Sequence, residues 1–326
     1  MPALPFHHAI DRSLVNTNGG PPPLLLLLHG SGDNEHGLLD VGRSLAPACG
    51  GALIVSLRAP LPRFGGFCWF EGTSAAPAPD AQRSIGDATD KLLQLLCDAP
   101  STFGTDPSRA FLFAHSQGAT VGWALTLSSW PRADLLRGAV LHAGRLFPEL
   151  VQPHSPLGQR VATKEALSAR QPFCAHGQAD QTTPVAHARQ NRRYCEQLDV
   201  PHTYHEHGGG HNEIGAVLSQ ASAYLRELSA PSAADCASAS ASPHVGVTQR
   251  PSHGSVTFAA GDGVRLQLLR SQPHLNGRYA RVLGKDEPSG RYMIKLGDGG
   301  PSIKVRPECI VHTIDEEGEE GYEHMY

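Results

Sequence analysis

The chain alternates short, unbroken apolar runs with stretches in which apolar residues recur every three or four positions. Leu24–Leu28 is five leucines, bounded by Pro21-Pro22-Pro23 and His29-Gly30. Similar runs occupy residues 52–57 (ALIVSL), 110–114 (AFLFA), 138–141 (GAVL), 172–175 (PFCA) and 201–206 (PHTYHE). Runs of this length without polar alternation predict strands covered on both faces. Between them, residues 84–96 (SIGDATDKLLQLL) place Ile85, Leu92, Leu93 and Leu96 at helical spacing. Further helices are predicted over 118–127, 184–198 and 212–228. Strand and helix in regular alternation predict the α/β class, with a mostly parallel, doubly wound sheet. Such a sheet binds ligands beyond the carboxyl ends of its strands. Chemistry is therefore expected just after the apolar runs.

The pattern breaks near residue 230. APSAADCASASASPHVGV is Ala, Ser and Pro with almost no large apolar residue, and it cannot bury enough surface to fold alone. Beyond it, residues 264–269, 278–282, 291–296 and 302–305 predict short strands. They are separated by Asn276-Gly277, Pro288-Ser289-Gly290 and Gly297-Asp298-Gly299-Gly300. Four parts follow: an α/β domain at 1–229, a flexible linker at 230–258, a small all-β module at 259–312, and an acidic tail at 313–326. The tail carries six acids in its last twelve residues.

Composition narrows this picture. The formal net charge of −4 over 326 residues gives no overall attraction to nucleic acid or anionic membrane. Residues 261–312 hold nine Lys/Arg against five Asp/Glu but few aromatics, so RNA or DNA binding is not expected there. A protein partner for residues 259–312 is the favoured expectation, and a purely stabilising appendage is the alternative. The seven cysteines are scattered and form no C-x-x-C, so free thiols are expected rather than disulfides or a thiolate zinc site. The N-terminus lacks a basic segment followed by an apolar one, and no apolar run approaches the ~20 residues of a membrane span. The expectation is a soluble cytoplasmic protein, with an organellar address compatible.

Three predicted strand ends carry the residue types of one reaction. Ala114-His115-Ser116-Gln117-Gly118 fits small-x-Ser-x-Gly at a strand-to-helix turn, which exposes a serine hydroxyl and aims the next N–H at a bound carbonyl oxygen. An ordinary turn with a serine cap would use the same residues. His176-Gly177-Gln178-Ala179-Asp180 closes the fifth predicted strand and supplies a carboxylate able to orient a histidine. His207-Gly208-Gly209-Gly210-His211 closes the sixth and offers His211 on a glycine-rich loop. The chain order Ser116, Asp180, His211 is that of the α/β hydrolases. After the first core strand, Leu28-His29-Gly30-Ser31 can supply a second oxyanion donor, the Ser31 N–H, beside that of Gln117. His202, His205, His207 and His211 cluster in sequence, but no carboxylate pair or thiolate accompanies them, so a metal site is not expected.

LLLHGSGDNEHG, SLRAPLP, GFCWFEG, FAHSQGA, HGQADQTTPV and GGGHNEI together resemble the carboxylesterase/phospholipase branch of the α/β hydrolases, which includes acyl-protein thioesterases. The resemblance spans roughly residues 20–228. It implies the α/β-hydrolase fold and cleavage of carboxylic esters or thioesters through an acyl-enzyme, with no cofactor or metal. It implies Ser116 as nucleophile, Asp180 and His211 as its partners, and Ser31 and Gln117 as oxyanion donors. Trp69-Phe70 matches the family's aromatic pair and implies a substrate wall, together with His29 and Gly30; core packing is the alternative for the two aromatics. Two positions depart from the pattern, Ala114 and Ala119, where the family usually has glycine. Residues 259–312 resemble small SH3-like barrels. A non-catalytic binding protein on the same scaffold is the competing reading.

Overall fold

The computed structural model describes residues 4–16, 20–72, 79–129, 135–229, 258–266, 275, 279–286, 288–296 and 302–312. The chain divides into two compact units, Met1–Ala241 and Ser242–Tyr326.

The first unit is built on a seven-stranded sheet. Its strands are β1 (His8–Asp11), β2 (Leu24–Leu28), β3 (Leu53–Leu57), β6 (Ala110–His115), β7 (Leu136–His142), β8 (Phe173–Gly177) and β9 (Thr203–His207), in the spatial order β1-β3-β2-β6-β7-β8-β9. Every pairing from β3 through β9 is parallel; β1 lies antiparallel on β3. The five leucines of β2 explain its central position. Leu24, Leu26 and Leu28 enter one apolar layer, and Leu25 and Leu27 enter the other. Period-two alternation thus fills both faces at once, at roughly 1.5–3 kcal/mol for each fully buried leucine. Helices α2 (Pro79–Phe103) and α3 (Gln117–Leu127) cover the first face; α1 (Leu39–Leu45) and α6 (Leu218–Ser229) cover the second. Helix α5 (Val185–Gln197) buries Cys195 in the first layer, and the single-turn α4 (Lys164–Leu167) buries Leu167 there. Among the described residues no helix is long and apolar enough to cross a membrane.

All six predicted core strands are present, within a few residues. The sequence pattern did not announce β1, a short edge strand whose four residues (HAID) are mostly half-buried. It also missed the hairpin of β4 (Leu61–Arg63) and β5 (Gly66–Cys68), which pairs only with itself and the adjacent loop. The helix predicted over 212–228 begins later. Residues 208–213 are loop, Ile214–Val217 is a single 3-10 turn, and α6 follows.

The second unit is a five-stranded antiparallel sheet. Its strands are β10 (Gly263–Leu266), β11 (Tyr279–Asp286), β12 (Arg291–Leu296), β13 (Ser302–Val305) and β14 (Ile310–His312), in the order β13-β12-β11-β10-β14. Strand β12 alternates strictly, with Tyr292, Ile294 and Leu296 buried and Arg291, Met293 and Lys295 exposed. That is the pattern of a strand with one covered face. Strand β11 runs past its predicted end because a bulge between Val282 and Gly284 re-registers it on β12. The predicted linker needs one correction. Its last residue, Phe258, is buried in the core of this unit, packing edge-on against Tyr292 at 5.1 Å while its N–H donates to the Tyr292 hydroxyl. The rest of the linker, the acidic tail and residues 267–269 of the first predicted strand lie outside the described residues.

Candidate active site

Strand β6 ends at His115 and α3 begins at Gln117, so the whole turn is Ser116. Its backbone sits at φ 53°, ψ −119°, a conformation that costs an L-residue on the order of 1–3 kcal/mol. The Ser116 N–H is held by the His142 carbonyl at 2.9 Å, and the Ser116 carbonyl accepts from Thr120. The turn is tight enough to dictate its neighbours. A Cβ on Gly118 would lie 2.4 Å from the Leu28 carbonyl oxygen. The two alanines that depart from the family pattern fit because glycine stands opposite each. Gly122 leaves room for Ala114, and Gly144 leaves room for Ala119.

Ser116 meets its expected partners. The Ser116 hydroxyl lies 2.8 Å from His211 Nε2, and His211 Nδ1 lies 2.7 Å from Asp180 Oδ2. Asp180 is buried. Its other oxygen accepts from the Thr182 and Thr183 N–H groups at 2.8 and 2.7 Å, so the carboxylate is solvated by fixed backbone dipoles instead of water. The loops bearing the imidazole and the carboxylate are joined through their backbones. Gln178 N–H donates to the His207 carbonyl and Ala179 N–H to the Gly209 carbonyl. Residues 64 and 95 positions beyond Ser116 in the chain thus converge on it at the carboxyl edge of the sheet.

A cavity of about 450 Å³ opens over the serine. Ser31 and Gln117 both line it. Gln117 is the first residue of α3, so its N–H is one of those a helix leaves without an internal partner. Gly30 brings the loop after β2 close to Ser116; a Cβ there would be 3.2 Å from that of Ser116. Phe70 also lines the cavity, edge-on to Phe147 at 5.9 Å.

Three of the expected wall residues, Gly30, His29 and Trp69, are not among the residues that line the cavity. Trp69 is fully buried behind the wall, where its indole N–H donates to the His29 carbonyl. His29 is fully buried as well. Its Nε2 accepts from Ala59 N–H, leaving Nδ1–H to donate to the Gly30 carbonyl at 2.6 Å. Burial lowers its pKa, which suits a neutral structural imidazole. Both residues support the loop after β2 from behind and are not among those lining the cavity.

Several residues escaped the sequence reading. The Gln117 side chain braces the aromatic pair, accepting from Trp69 N–H at 2.8 Å and donating to the Phe70 carbonyl at 2.7 Å. Glu35 and Arg58 form a two-pronged ion pair that ties the loop after β2 to the end of β3, and the guanidinium lies 4.6 Å over the Phe67 ring. Arg58 holds the Glu35 carboxyl well below its usual range, at about 2. Arg63, Phe64, Thr120, Ala143 and Arg145 line the cavity. One regularity was available in the sequence. Of the seven strands, β2, β6, β7, β8 and β9 all carry a histidine at or beside their carboxyl end: His29, His115, His142, His176 and His207.

Comparison with known proteins agrees with this architecture. Residues 12–229 match the family model described as phospholipase/carboxylesterase. Over 213 residues the chain is 24% identical to the putative hydrolase MhqD of Bacillus subtilis, covering 65% of this chain and 97% of that protein. Its fold is similar to that of a Bacillus cereus carboxylesterase, with a TM-score of 0.55 and 23% identity over 68% of this chain and 94% of the other. A carboxylesterase from Mesorhizobium loti gives a TM-score of 0.54 and 23% identity, covering 70% of this chain and 95% of that one. The protein therefore belongs to the phospholipase/carboxylesterase family of α/β hydrolases.

Proposed function

We propose that this family hydrolase cleaves carboxylic esters and thioesters through an acyl-enzyme on Ser116. The observation that carries the reading is the unbroken hydrogen-bonded line from Ser116 through His211 to Asp180. His211 Nε2 takes the hydroxyl proton as Ser116 Oγ attacks the acyl carbon. Asp180 accepts from Nδ1–H, fixes the tautomer and stabilises the imidazolium that forms. The oxyanion is received by the N–H groups of Ser31 and Gln117, each worth ~3 kcal/mol in the barrier. His211 then returns its proton to the leaving alcohol or thiol. Water, deprotonated by the same nitrogen, releases the acid. The water proton passes from His211 to Ser116 Oγ as the acid departs, so the enzyme ends with its starting complement of protons while the original serine proton has left with the alcohol or thiol.

A fluorophosphonate probe is expected to label Ser116 alone, as mapped by peptide mass spectrometry. Hydrolysis of short p-nitrophenyl esters and of acyl thioesters is expected to disappear in Ser116→Ala. Undiminished turnover in that variant overturns the proposal.

A further inference from the structure

His115, His142 and His207 end three strands at the same rim, and all three are buried. They are joined in one line. Gly209 N–H donates to His207 Nδ1 at 3.2 Å; His207 Nε2 meets His142 Nε2 at 3.2 Å. His142 Nδ1 meets His115 Nδ1 at 3.0 Å, and His115 Nε2 meets Asn212 Oδ1 at 3.3 Å. Three nitrogen-to-nitrogen and nitrogen-to-oxygen contacts look ambiguous, because either ring nitrogen can donate. The backbone removes the ambiguity. Gly209 N–H can only donate, so His207 Nδ1 accepts and its proton is on Nε2. His142 Nε2 must then accept, which puts its proton on Nδ1. His115 Nδ1 accepts in turn and carries its proton on Nε2, facing an amide oxygen. One proton per ring satisfies every contact, and a second proton on any ring would set N–H against N–H.

The two ends of this line grip the segment that carries His211. Gly209 and His207 precede it and Asn212 follows it, and the His115 ring lies 5.1 Å from the His211 ring. We propose that His115, His142 and His207 form a neutral, directional hydrogen-bonded chain that positions the His211 loop against Ser116, with His142 as its central link. It rests on the esterase reading only for its kinetic consequence. Burial works in the same direction, lowering the pKa of His115 to about 4 and that of His142 to about 2. The titratable groups that face the chain are His176, Asp180, His205, His211 and Glu213, and none of them alters the parity of donors and acceptors.

The test is long-range 1H–15N correlation of the histidine rings in the full-length protein at neutral pH. Protons are expected on Nε2 of His115 and His207 and on Nδ1 of His142, with no imidazolium among them. The same pattern is expected in Ser116→Ala, so the result stands apart from the esterase reading. A swapped tautomer or a charged ring at any of the three overturns the proposal. In activity, His142→Leu cuts the line and is expected to lower kcat roughly 10- to 100-fold with KM little changed. His142→Gln keeps one acceptor and one donor and is expected to recover most of that loss. Equal kcat in both variants and the parent overturns the positioning role.

A separate observation concerns the cavity walls. Arg63 ends β4, in the hairpin whose Phe67 exchanges backbone hydrogen bonds with Gly32 and Asp33 beside Ser31. Arg145 follows β7; its N–H donates to the Thr120 hydroxyl, and its guanidinium lies 5.2 Å over Phe147. Both arginines line the cavity, and no Asp or Glu is among its described lining residues. Arg63 Nε is buried without an acceptor among the described residues. A guanidinium nitrogen of Arg63 that has no acceptor among the described residues, in a concave site whose described lining holds no carboxylate, attracts anions. We infer that the preferred ester carries an anionic group, carboxylate or phosphate, on the part of the substrate that fills this cavity. This rests on the esterase reading.

Paired substrates test it: monoethyl against diethyl adipate for a carboxylate, and a short-chain acylglycerol phosphate against the matching acylglycerol for a phosphate. At least one charged member is expected to have the higher kcat/KM, by about tenfold, with the preference shrinking as salt rises. Arg63→Gln is expected to reduce that ratio about tenfold. Turnover with no preference for either charged ester, or a ratio unmoved in Arg63→Gln, sinks the inference and leaves the esterase reading standing. Failure to turn over any ester sinks both.

Discussion

The two units of this protein treat polar groups in opposite ways. In the second unit, β12 alternates buried and exposed residues without exception, and the described core is built from Phe258, Val264, Ile294, Val305 and similar side chains. In the first unit, the buried His29, His115, Gln117, His142, His176, Asp180 and His207 all lie at or just beyond the carboxyl ends of strands, at one rim of the sheet. Backbone strain follows the same division. Of the four described non-glycine residues with positive φ, Phe64, Ser116 and Ala143 all line the cavity over the Ser116 hydroxyl. The described part of the second unit satisfies its folding rules locally. The first unit breaks them at its candidate site and compensates with surrounding structure, as strained functional sites do.

The sharpest way to break this comparison is to remove the hydroxyl. Ser116→Ala is expected to lower kcat by a factor on the order of 10⁴ or more while leaving the thermal midpoint nearly unchanged, since alanine keeps the same strained backbone and loses only the hydroxyl. A loss of stability in step with activity would mean that the site holds the fold together. Asp180→Asn comes next. It keeps the acceptor for the Thr182 and Thr183 N–H groups but loses the charge beside His211 Nδ1, and kcat is expected to fall about 10³- to 10⁴-fold. An effect below tenfold in steady-state assays would remove the carboxylate from the mechanism. Gly118→Ala tests geometry: its Cβ would meet the Leu28 carbonyl at 2.4 Å, and both activity and thermal midpoint are expected to drop.

Smaller effects sharpen the comparison. Arg58 holds Glu35 ionised down to about 2, against an ordinary value of 4.5. A depressed carboxyl adds stability that is complete above 4.5 and fades as pH falls towards 2. Glu35→Gln is therefore expected to be less stable than the parent near neutral pH, by about 1–3 kcal/mol, with the gap closing below pH 4.5. A gap constant down to pH 2.5 in urea titrations would contradict the assignment. The smallest effect is expected from deleting residues 230–326. Activity on small esters should stay within about twofold, because each described residue lining the cavity belongs to the first unit. Loss of activity would join the units functionally.

How much of this was legible in the sequence depended on whether the cause was local. The core strands were, because five leucines in β2 or AFLFA in β6 have no other stable placement. The elbow was, because small residues around Ser116 are a steric demand written at fixed offsets. Strand β1 was not: HAID has no pattern of its own and becomes a strand because β3 offers an edge. Nor were the places of His29 and Trp69. Their motif marks the site correctly, but whether a side chain faces the cavity or supports its wall depends on partners such as Ala59 and the Gly30 carbonyl, which arrive from elsewhere in the chain or from the fold of the loop. The histidine line was half legible. Strand ends repeating the same residue are visible by eye, but their order in space requires the register that sets His115 beside His142.

The backbone bonds from Gln178 to His207 and from Ala179 to Gly209 join His211 and Asp180 into a prefabricated half of the site, assembled without help from the strand of Ser116. A protein stripped of the Ser116 oxygen is expected to keep that half intact. On the proposed mechanism it would become a silent receptor, able to hold an uncleaved acyl compound long enough to be fished from a cell extract and identified.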